Sequence, residues 1–362
     1  MTELEKARAE INAVDSEMAQ LFCRRMKAVR SVAEYKRERG LPVSDPAREA
    51  EVIARNALLV EDEELRSYFV TFLENNMAVS RRYQHRLLEG MRVAFSGVKG
   101  AFAEIAAVRA MPDATAVPYG DFQSAYDSVV RGECDCAILP IENNIGGDVG
   151  QVMDLAFFGP LSISGVYDVE IVQNLLAVKG ASLGNIRQVI SHPQAISQCA
   201  EYIRRHGFEA IEAVNTAVAA RTVAESGRTD IAAIGSDEAA AEYGLQKLEG
   251  GINRSNKNTT RFAVFTRLPV QSVTAGGRFI MTFTVNNEAG SLGRAVAIIG
   301  DHGFNLRALK SRPTKSLQWD YYFYVEGDGN ISNDNGSAML AELAGVCNSV
   351  RVLGSYDREI SL

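Results

Sequence analysis

The sequence contains few of the residues on which metal-dependent catalysis commonly relies. Only four histidines and five cysteines occur among 362 residues, and neither type recurs at the spacing of a zinc site. No apolar run approaches the ~18 residues that a membrane-spanning helix needs. We therefore expect no metal, no other cofactor and no membrane partner.

Basic residues are outnumbered as well. Lys and Arg total 38 against 45 Asp and Glu, which gives a net charge of −7 and argues against a nucleic-acid partner. The N-terminus lacks the apolar core of a secretory signal, so a cytoplasmic location is expected. A chain that is 46% hydrophobic and 23% charged is typical of globular proteins, and its length suffices for two or three cores.

The first region, 1–89, has the pattern of three helices. Between residues 3 and 38 the apolar residues recur at helical spacing, at Leu4, Ile11, Val14, Met18, Leu21, Val29 and Val32. A helix of that length would extend ~50 Å, longer than one small domain covers, which favours a dimer. Asp45-Pro46 predicts the start of a second helix, and residues 65–88 a third.

Polar residues interrupt the apolar seam of these helices. Arg25 and Lys36 are eleven residues apart and so share one side of the first helix. Arg8 lies ~25 Å from Arg25 along that helix, so only an antiparallel partner chain could bring a second Arg8 close. Ser80 and Gln84 share a face of the third helix. Such cations and amides suit a small dianionic ligand.

This region resembles the all-helical chorismate mutase family, whose site lies in an intertwined helical dimer. The resemblance implies that Arg25 and the partner's Arg8 bind two carboxylates, that Lys36 and Gln84 donate to the ether oxygen, and that Glu49 accepts from the ring hydroxyl. A helical dimeriser without catalysis is the alternative. The residues that match the family's motif are Arg8, Arg25, Lys36, Asp45, Arg48, Glu49, Ser80 and Gln84.

From Arg92 onward strands and helices alternate, which predicts α/β lobes within 91–268. Ser96–Gly100 is expected to form a turn whose backbone contacts substrate. A linker is expected at 271–277. The predicted strands are 93–95, 135–139, 162–166, 170–178, 186–190, 209–213, 230–234 and 261–266.

Two motifs stand out in this region. Pro140–Asn143 ends a buried strand, where ligands of α/β proteins usually bind, and Asn258–Phe262 places Thr260 and Arg261 in a loop before the last strand. With Ser191–Gln194 they resemble prephenate dehydratase, whose two α/β lobes enclose the substrate. The resemblance implies that Thr260 protonates the departing hydroxyl and that Arg261 and Asn143 position the substrate. The implied site residues are Glu142, Asn143, Gln198, Thr260, Arg261 and Phe262.

Two positions depart from that family's pattern. Asn144 stands where Ser or Thr is usual, and Ala103 stands where a hydroxyl residue is usual. Asn144 can still donate and accept hydrogen bonds, whereas Ala103 cannot. A preference for arogenate over prephenate therefore stays open as an alternative.

The remaining residues, 277–357, predict a ferredoxin-like βαββαβ unit, with strands at 278–285, 304–309, 319–325 and 350–354 and helices at 291–302 and 336–345. In isolation, Glu288–Gly293 is a helix start and Lys310–Pro313 a turn. In this position they resemble the ACT domain that binds phenylalanine, although Lys310 replaces the family's usual Glu. The implied effector residues are Gly290, Ser291, Leu292, Gly293, Ser311, Arg312 and Pro313.

The three resemblances together cover nearly the whole chain. They imply a cytoplasmic, bifunctional enzyme that converts chorismate to prephenate and prephenate to phenylpyruvate, without a cofactor and under feedback control by phenylalanine. A homodimer or a higher homo-oligomer is expected. The alternatives are an arogenate-preferring dehydratase and a non-enzymatic ligand sensor built on the same domains.

Overall fold

The computed structural model describes residues 2–253, 258–269, 277–314, 321–357 and 360–362. The predicted linker at 271–277 lies outside these residues, except for Gly277. The chain divides into two compact units, Met1–Met91 and Arg92–Leu362. In the part of the chain that is described, no helix is both long enough and apolar enough to cross a membrane.

The first unit consists of helices, as predicted: α1 (Glu3–Arg39), α2 (Pro46–Ala57) and α3 (Glu63–Glu89). Asp45 caps α2, because its side chain accepts a hydrogen bond from the backbone N–H of Arg48. Gly40 ends α1 with φ 62°, a left-handed conformation that glycine adopts at little cost. Local capping chemistry therefore sets these helix ends.

Within residues 2–91, all of which are described, only Ala33, Met77, Ser80 and Gln84 are buried. The apolar seam of α1 is open, since Leu4, Ile11 and Leu21 each expose more than half of their surface. An amphipathic helix normally covers its apolar stripe. One copy of this unit therefore leaves its apolar seam uncovered.

The second unit begins with an α/β region, and the predicted two lobes are confirmed as two sheets with helices packed against them. Its strands are β1 (Arg92–Ser96), β2 (Thr115–Tyr119), β3 (Cys136–Asn143), β4 (Gly147–Asp148), β5 (Ser162–Glu170), β6 (Asn174–Ala177), β7 (Gln188–Ser191), β8 (Glu209–Glu212), β9 (Ile231–Gly235), β10 (Gln246–Glu249) and β11 (Thr259–Thr266). Its helices are α4 (Phe102–Ala110), α5 (Phe122–Val130), α6 (Gly150–Phe158), α7 (Pro193–Gln198), α8 (Ala200–His206), α9 (Thr216–Ser226) and α10 (Asp237–Glu242).

One sheet has the order β5-β11-β3-β1-β2, with β4 paired to β3, and the other has the order β10-β6-β9-β7-β8. Both are mixed, because β11 runs antiparallel to β3 and β5 in the first sheet, and β6 runs antiparallel to β9 and β10 in the second. The prediction that Thr260 and Arg261 lie in a loop was wrong. Strands on both sides pair with this segment, Thr260 with Asn143 and with Val169, so β11 begins at Thr259.

Several strands were missed by the sequence patterns. Strand β2 contains Pro118, and β10 contains Lys247 and Glu249, and such residues are uncommon within strands. Strand β4 has only two residues. Such short or polar strands are defined by their neighbours in the sheet rather than by their own sequence.

The C-terminal region forms β12 (Arg278–Thr284), α11 (Ser291–Asp301), β13 (Asn305–Pro313), β14 (Tyr321–Asp328), α12 (Asp334–Val346) and β15 (Ser349–Tyr356), in the predicted element order. Its antiparallel sheet has the order β13-β14-β12-β15. Phe279, Met281 and Phe283 of β12 pack with Ile299 of α11 and Leu343 of α12. A further strand, β16 (Ile360–Ser361), then pairs with β5 at the edge of the first sheet.

The C-terminal sheet shares a core with the first α/β sheet. Tyr322 and Leu353 are buried in the same cluster as Leu139 and Phe265. At Gly354 the two sheets approach so closely that a Cβ atom would overlap the carbonyl oxygen of Ile163. The C-terminal region is therefore packed into the second unit rather than attached to it by a linker alone.

Candidate active sites

A cavity of about 330 Å³ lies between the two α/β sheets. One wall comes from the first sheet and its helix starts, the other from the second sheet. The polar side chains that line it are those of Ser96, Asn143, Gln173, His192, Gln194, Gln198, Asn215, Thr216, Asn258 and Thr260. A cavity of this size, with polar groups converging from two lobes, suits a small ligand.

Asn143, the last residue of β3, connects the groups on this cavity. Its amide nitrogen donates to Asn258 Oδ1 at 2.8 Å and to Thr260 Oγ1 at 2.9 Å. Its amide oxygen accepts from the backbone N–H of Gly146 at 2.7 Å and from Gln194 Nε2 at 3.3 Å. The side chain is buried, so this network fixes its orientation.

The same network brings Gln198 to the site, because its Oε1 accepts from Asn258 Nδ2 at 2.8 Å. Phe262 is buried and lines the cavity. The Thr260 hydroxyl accepts from Asn143, which leaves its own hydrogen for donation. The hydrogen bond from Asn143 therefore orients the Thr260 hydroxyl at the cavity.

The structure does not bring Glu142 and Arg261 to this cavity. Neighbouring residues of a strand face opposite sides, and the pair Glu142–Arg261 lies beside the pair Asn143–Thr260 in the β3–β11 ladder. Arg261 Nη1 lies 2.8 Å from Glu326 Oε2 and 3.4 Å from Glu142 Oε2. Burial alone would lower the pKa of Arg261, but the buried Glu326 carboxylate raises it above its ordinary value. Both residues thus face the C-terminal sheet.

Other cavity residues were not singled out from the sequence. Thr216 and Gln173 come from separate segments of the sequence. The one sequence feature that could have pointed to Thr216 is the preceding Asn215, which caps α9 by accepting a hydrogen bond from the Val218 N–H. Ser96 lies on the turn for which substrate contact was predicted. His192 caps α7, since its Nδ1 accepts from Gln194 N–H at 3.2 Å. Burial lowers the pKa of His192, which favours the neutral form that this cap requires.

In the helical unit, three of the predicted residues meet between α1 and α3. Arg25 donates to the Ser80 hydroxyl, which in turn donates to the Asn76 carbonyl at 2.7 Å. Gln84 is buried, and among the described residues its Oε1 has no hydrogen-bond partner. Burial lowers the pKa of Arg25. A half-buried cation and a buried amide oxygen without a partner in the described chain together suit a polar ligand.

The other predicted residues of this unit are engaged locally. Lys36 Nζ donates to the Val43 carbonyl at 2.6 Å. Asp45 caps α2, Arg48 pairs with Glu51 at 2.6 Å, and Glu49 pairs with Arg81. Arg8 is exposed on α1, far along the helix from Arg25. One copy of the unit therefore assembles only part of the predicted set.

The predicted effector residues occupy two places in the C-terminal region. Gly290 has φ 84° and precedes α11, followed by the buried Ser291 and then by Leu292 and Gly293. Ser311 and Pro313 are exposed on β13. Arg312 instead contacts the α/β region, because its Nε donates to Asp154 Oδ1 at 3.0 Å.

Comparison with protein families identifies both units. The family model of prephenate dehydratase matches residues 93–269, and that of chorismate mutase type II matches residues 7–85. Arogenate dehydratase/prephenate dehydratase 2 of Arabidopsis thaliana is 34% identical over 278 residues, which span 74% of this chain and 72% of that protein. The bifunctional chorismate mutase/prephenate dehydratase of Aquifex aeolicus is 28% identical over 99% of both chains.

Among solved structures, prephenate dehydratase from Arthrobacter aurescens in complex with L-Phe is similar, with a TM-score of 0.69 and 29% identity. The match covers 74% of this chain and 90% of that one. The two family models match one chain here, and the bifunctional Aquifex relative aligns with it over nearly its full length. The chain belongs to the prephenate dehydratase family, in its bifunctional form with an N-terminal chorismate mutase domain.

Proposed function

We propose that the helical unit rearranges chorismate to prephenate and that the α/β cavity converts prephenate to phenylpyruvate. The observation that carries the second activity is the Thr260 hydroxyl, which is held by Asn143 at the cavity between the lobes. The first activity is supported by Arg25, Ser80 and Gln84, which meet between α1 and α3.

In the dehydratase reaction, the bond between the ring and the departing carboxylate breaks and releases carbon dioxide. Its electron pair enters the ring, and the ring hydroxyl leaves as water after it takes a proton from Thr260. A positioned acid contributes typically 10²–10⁴-fold to such a step. Asn143 stabilises the resulting Thr260 oxyanion through the bond that it already makes to Oγ1.

The mutase reaction needs no proton transfer, because one C–O bond breaks as one C–C bond forms. The requirement is to hold the reactive conformer and to stabilise charge on the ether oxygen. We assign the carboxylates to Arg25 and to the partner's Arg8, and the ether oxygen to Lys36 and Gln84. The uncovered seam of α1 supports a homodimer or higher oligomer, with the intertwined arrangement that this shared site requires.

For the C-terminal region we propose a ferredoxin-like ACT domain that binds phenylalanine. The sheet order β13-β14-β12-β15, the helix start at Gly290–Gly293 and the L-Phe complex of the Arthrobacter relative support it. We accordingly propose three functional domains at 1–89, 91–268 and 277–357. A cytoplasmic location accords with the absence of disulfide bonds among the described cysteines, Cys23, Cys134, Cys136, Cys199 and Cys347.

A preference for arogenate is the second candidate, and Ala103 favours it. Ala103 lines the cavity and offers no side-chain donor or acceptor to a substrate there. Asn144 bears less on this choice, because its Oδ1 accepts from the Thr259 N–H at 2.9 Å and so holds β3 to β11. Dehydration rates measured side by side with prephenate and arogenate discriminate between the two.

The direct test is product analysis of the purified chain with chorismate, with and without phenylalanine. We expect prephenate and then phenylpyruvate to accumulate, and phenylalanine to slow the second step. Unchanged chorismate would point to a ligand sensor instead of an enzyme. A dehydratase rate and an oligomeric state that are indifferent to phenylalanine would leave the C-terminal region without an effector role.

A further inference from the structure

Lys310 lies on β13 of the C-terminal sheet, and its ammonium group contacts the dehydratase region. Its Nζ donates to Glu142 Oε1 at 2.9 Å and to Asp148 Oδ1 at 2.6 Å. The side chain is only 17% exposed. Glu142 and Asp148 stand directly opposite each other in the β3–β4 ladder. One cation therefore bridges both strands of this hairpin.

The hairpin carries the residue that orients the proton donor. Asn143 follows Glu142, and its amide oxygen accepts from the backbone N–H groups of Ile145 and Gly146 in the turn between the strands. The amide nitrogen of the same residue donates to Thr260 Oγ1. The placement of the hairpin thus determines where Asn143 holds Thr260.

Without Lys310, the two negative charges on the hairpin would repel each other. Two carboxylates directly opposite in an antiparallel ladder are destabilising. Arg261 is the other cation at Glu142, but it lies closer to the buried Glu326, at 2.8 Å against 3.4 Å. Burial would raise the pKa of Glu142, but Lys310 and then Arg261 lower it below its ordinary value. Glu142 therefore stays ionised and depends on Lys310 for compensation.

We propose that Lys310 is a positioning residue of the dehydratase site, which acts from the C-terminal region through the β3–β4 hairpin on Asn143 and Thr260. This role rests on the dehydratase activity proposed above. Lys310 stands where a Glu would place a third carboxylate beside Glu142 and Asp148. The contact between the two regions thus depends on the positive charge of Lys310.

The test compares Lys310→Met with Lys310→Arg in the full chain. Misplaced catalytic groups cost up to about 10²-fold, so we expect Lys310→Met to lower the dehydratase kcat about 10- to 100-fold, with KM changed much less. Lys310→Arg keeps the charge and should restore most of the rate. Arg307→Met is the matched control, because Arg307 is exposed on the same strand and pairs with Asp328 of the same sheet at 3.7 Å. Mutase turnover reports on the integrity of the chain.

Equal kcat values for Lys310→Met and Arg307→Met would overturn the proposal. If Lys310→Met fails to fold, the double variant Lys310→Glu with Asp148→Lys, which exchanges the two charges, is compared with Lys310→Glu alone. A higher dehydratase kcat in the double variant supports the role of Lys310, and an equal kcat overturns it. A wild-type chain that leaves prephenate unchanged would contradict the proposed function instead. In that case, hydrogen exchange of the backbone amides of residues 144–148 tests whether Lys310 positions the hairpin, without any measurement of activity. Exchange should be faster in Lys310→Met than in wild type, and an unchanged rate overturns the proposal.

Discussion

The two units of this chain, which both serve to bind a small anionic ring compound, differ in how much of their apolar surface one chain buries. The α/β unit buries large side chains in shared cores, such as Tyr126 and Phe265, and encloses its cavity with residues of one chain. The helical unit buries Ser80 and Gln84 while its apolar seam stays open. In our proposal, the first site is formed within one chain, whereas the second is shared with a partner chain.

Because of this difference, we expect the two sites to respond to different changes. If both proposals hold, the geometry of the dehydratase cavity should respond to changes in the C-terminal sheet, because both lie within one chain. The mutase site should respond to protein concentration, because it requires association of two chains. The variants below test that separation, from the largest expected effect to the smallest.

The strongest test removes the proton donor of the self-contained site. Thr260→Val should lower the dehydratase kcat about 10²- to 10⁴-fold, because it removes the hydroxyl that we propose as the proton donor. Mutase turnover, measured by loss of chorismate, should persist. Thr259→Val is the matched control, since its side chain faces the opposite side of β11. A parallel loss of both activities would show that the two sites are not independent.

The corresponding change in the helical site is Lys36→Ala. The loss of one donor to developing charge typically costs 10²–10³-fold in kcat, and we expect a mutase loss of about that size with dehydration intact. Lys27→Ala is the control, because Lys27 is an exposed lysine two and a half turns earlier on α1 and so points the opposite way. Similar rates in the two variants would remove Lys36 from the site.

A charge in the open seam should affect only the site that needs a partner. Ile11 is 58% exposed in one chain, and we expect a partner chain to cover it in the dimer. Ile11→Lys would place an ammonium group in that interface. Burial of an isoleucine contributes about 1.5–3 kcal/mol, so the dimer dissociation constant should rise roughly 10- to 100-fold.

Sedimentation and mutase rate across a dilution series measure that shift, with dehydration as the reference. Val108→Lys, on the exposed side of α4 and 48% exposed, is the comparison in the α/β unit. A mutase rate per chain that does not change on dilution of Ile11→Lys would speak against the shared site.

The smallest effect concerns pH. Burial lowers the pKa of His192, with Glu212 opposing the shift, so the folded chain binds this proton less readily than the unfolded chain. Its contribution to stability is therefore present above about pH 6.5 and is lost as pH falls through the folded value. Asparagine also caps helices, so the melting temperature of wild type should fall relative to that of His192→Asn on acidification. A constant difference between pH 8 and pH 5.5 would contradict the shift.

Local chemistry made much of the fold predictable. The Asp45-Pro46 start of α2 and the long α1 follow from capping and spacing, because helices are stabilised by neighbours in the sequence. Asn143 and Thr260 were predicted as site residues from their motifs, and the structure brings them within hydrogen-bond distance. Their roles in catalysis stay predictions.

The rest depended on non-local packing. Glu142 and Arg261 belong to the same motifs, but the alternation of strand side chains turns them away from the cavity. Lys310 contacts Glu142 across 168 residues of sequence, and no local pattern reports such a contact. The cavity residues Gln173 and Thr216 likewise reach the site only because two sheets face each other.

The short pairing of β16 with β5 has a consequence for how this enzyme can be dissected. After completing the C-terminal region, the chain returns and closes the outer edge of the dehydratase sheet. A deletion after residue 268 would therefore strip that sheet of its border strand and expose the face that Tyr322 and Leu353 cover. The C-terminal region is topologically an insertion in the dehydratase sheet, so a truncation that removes the proposed sensor also removes a strand of that sheet.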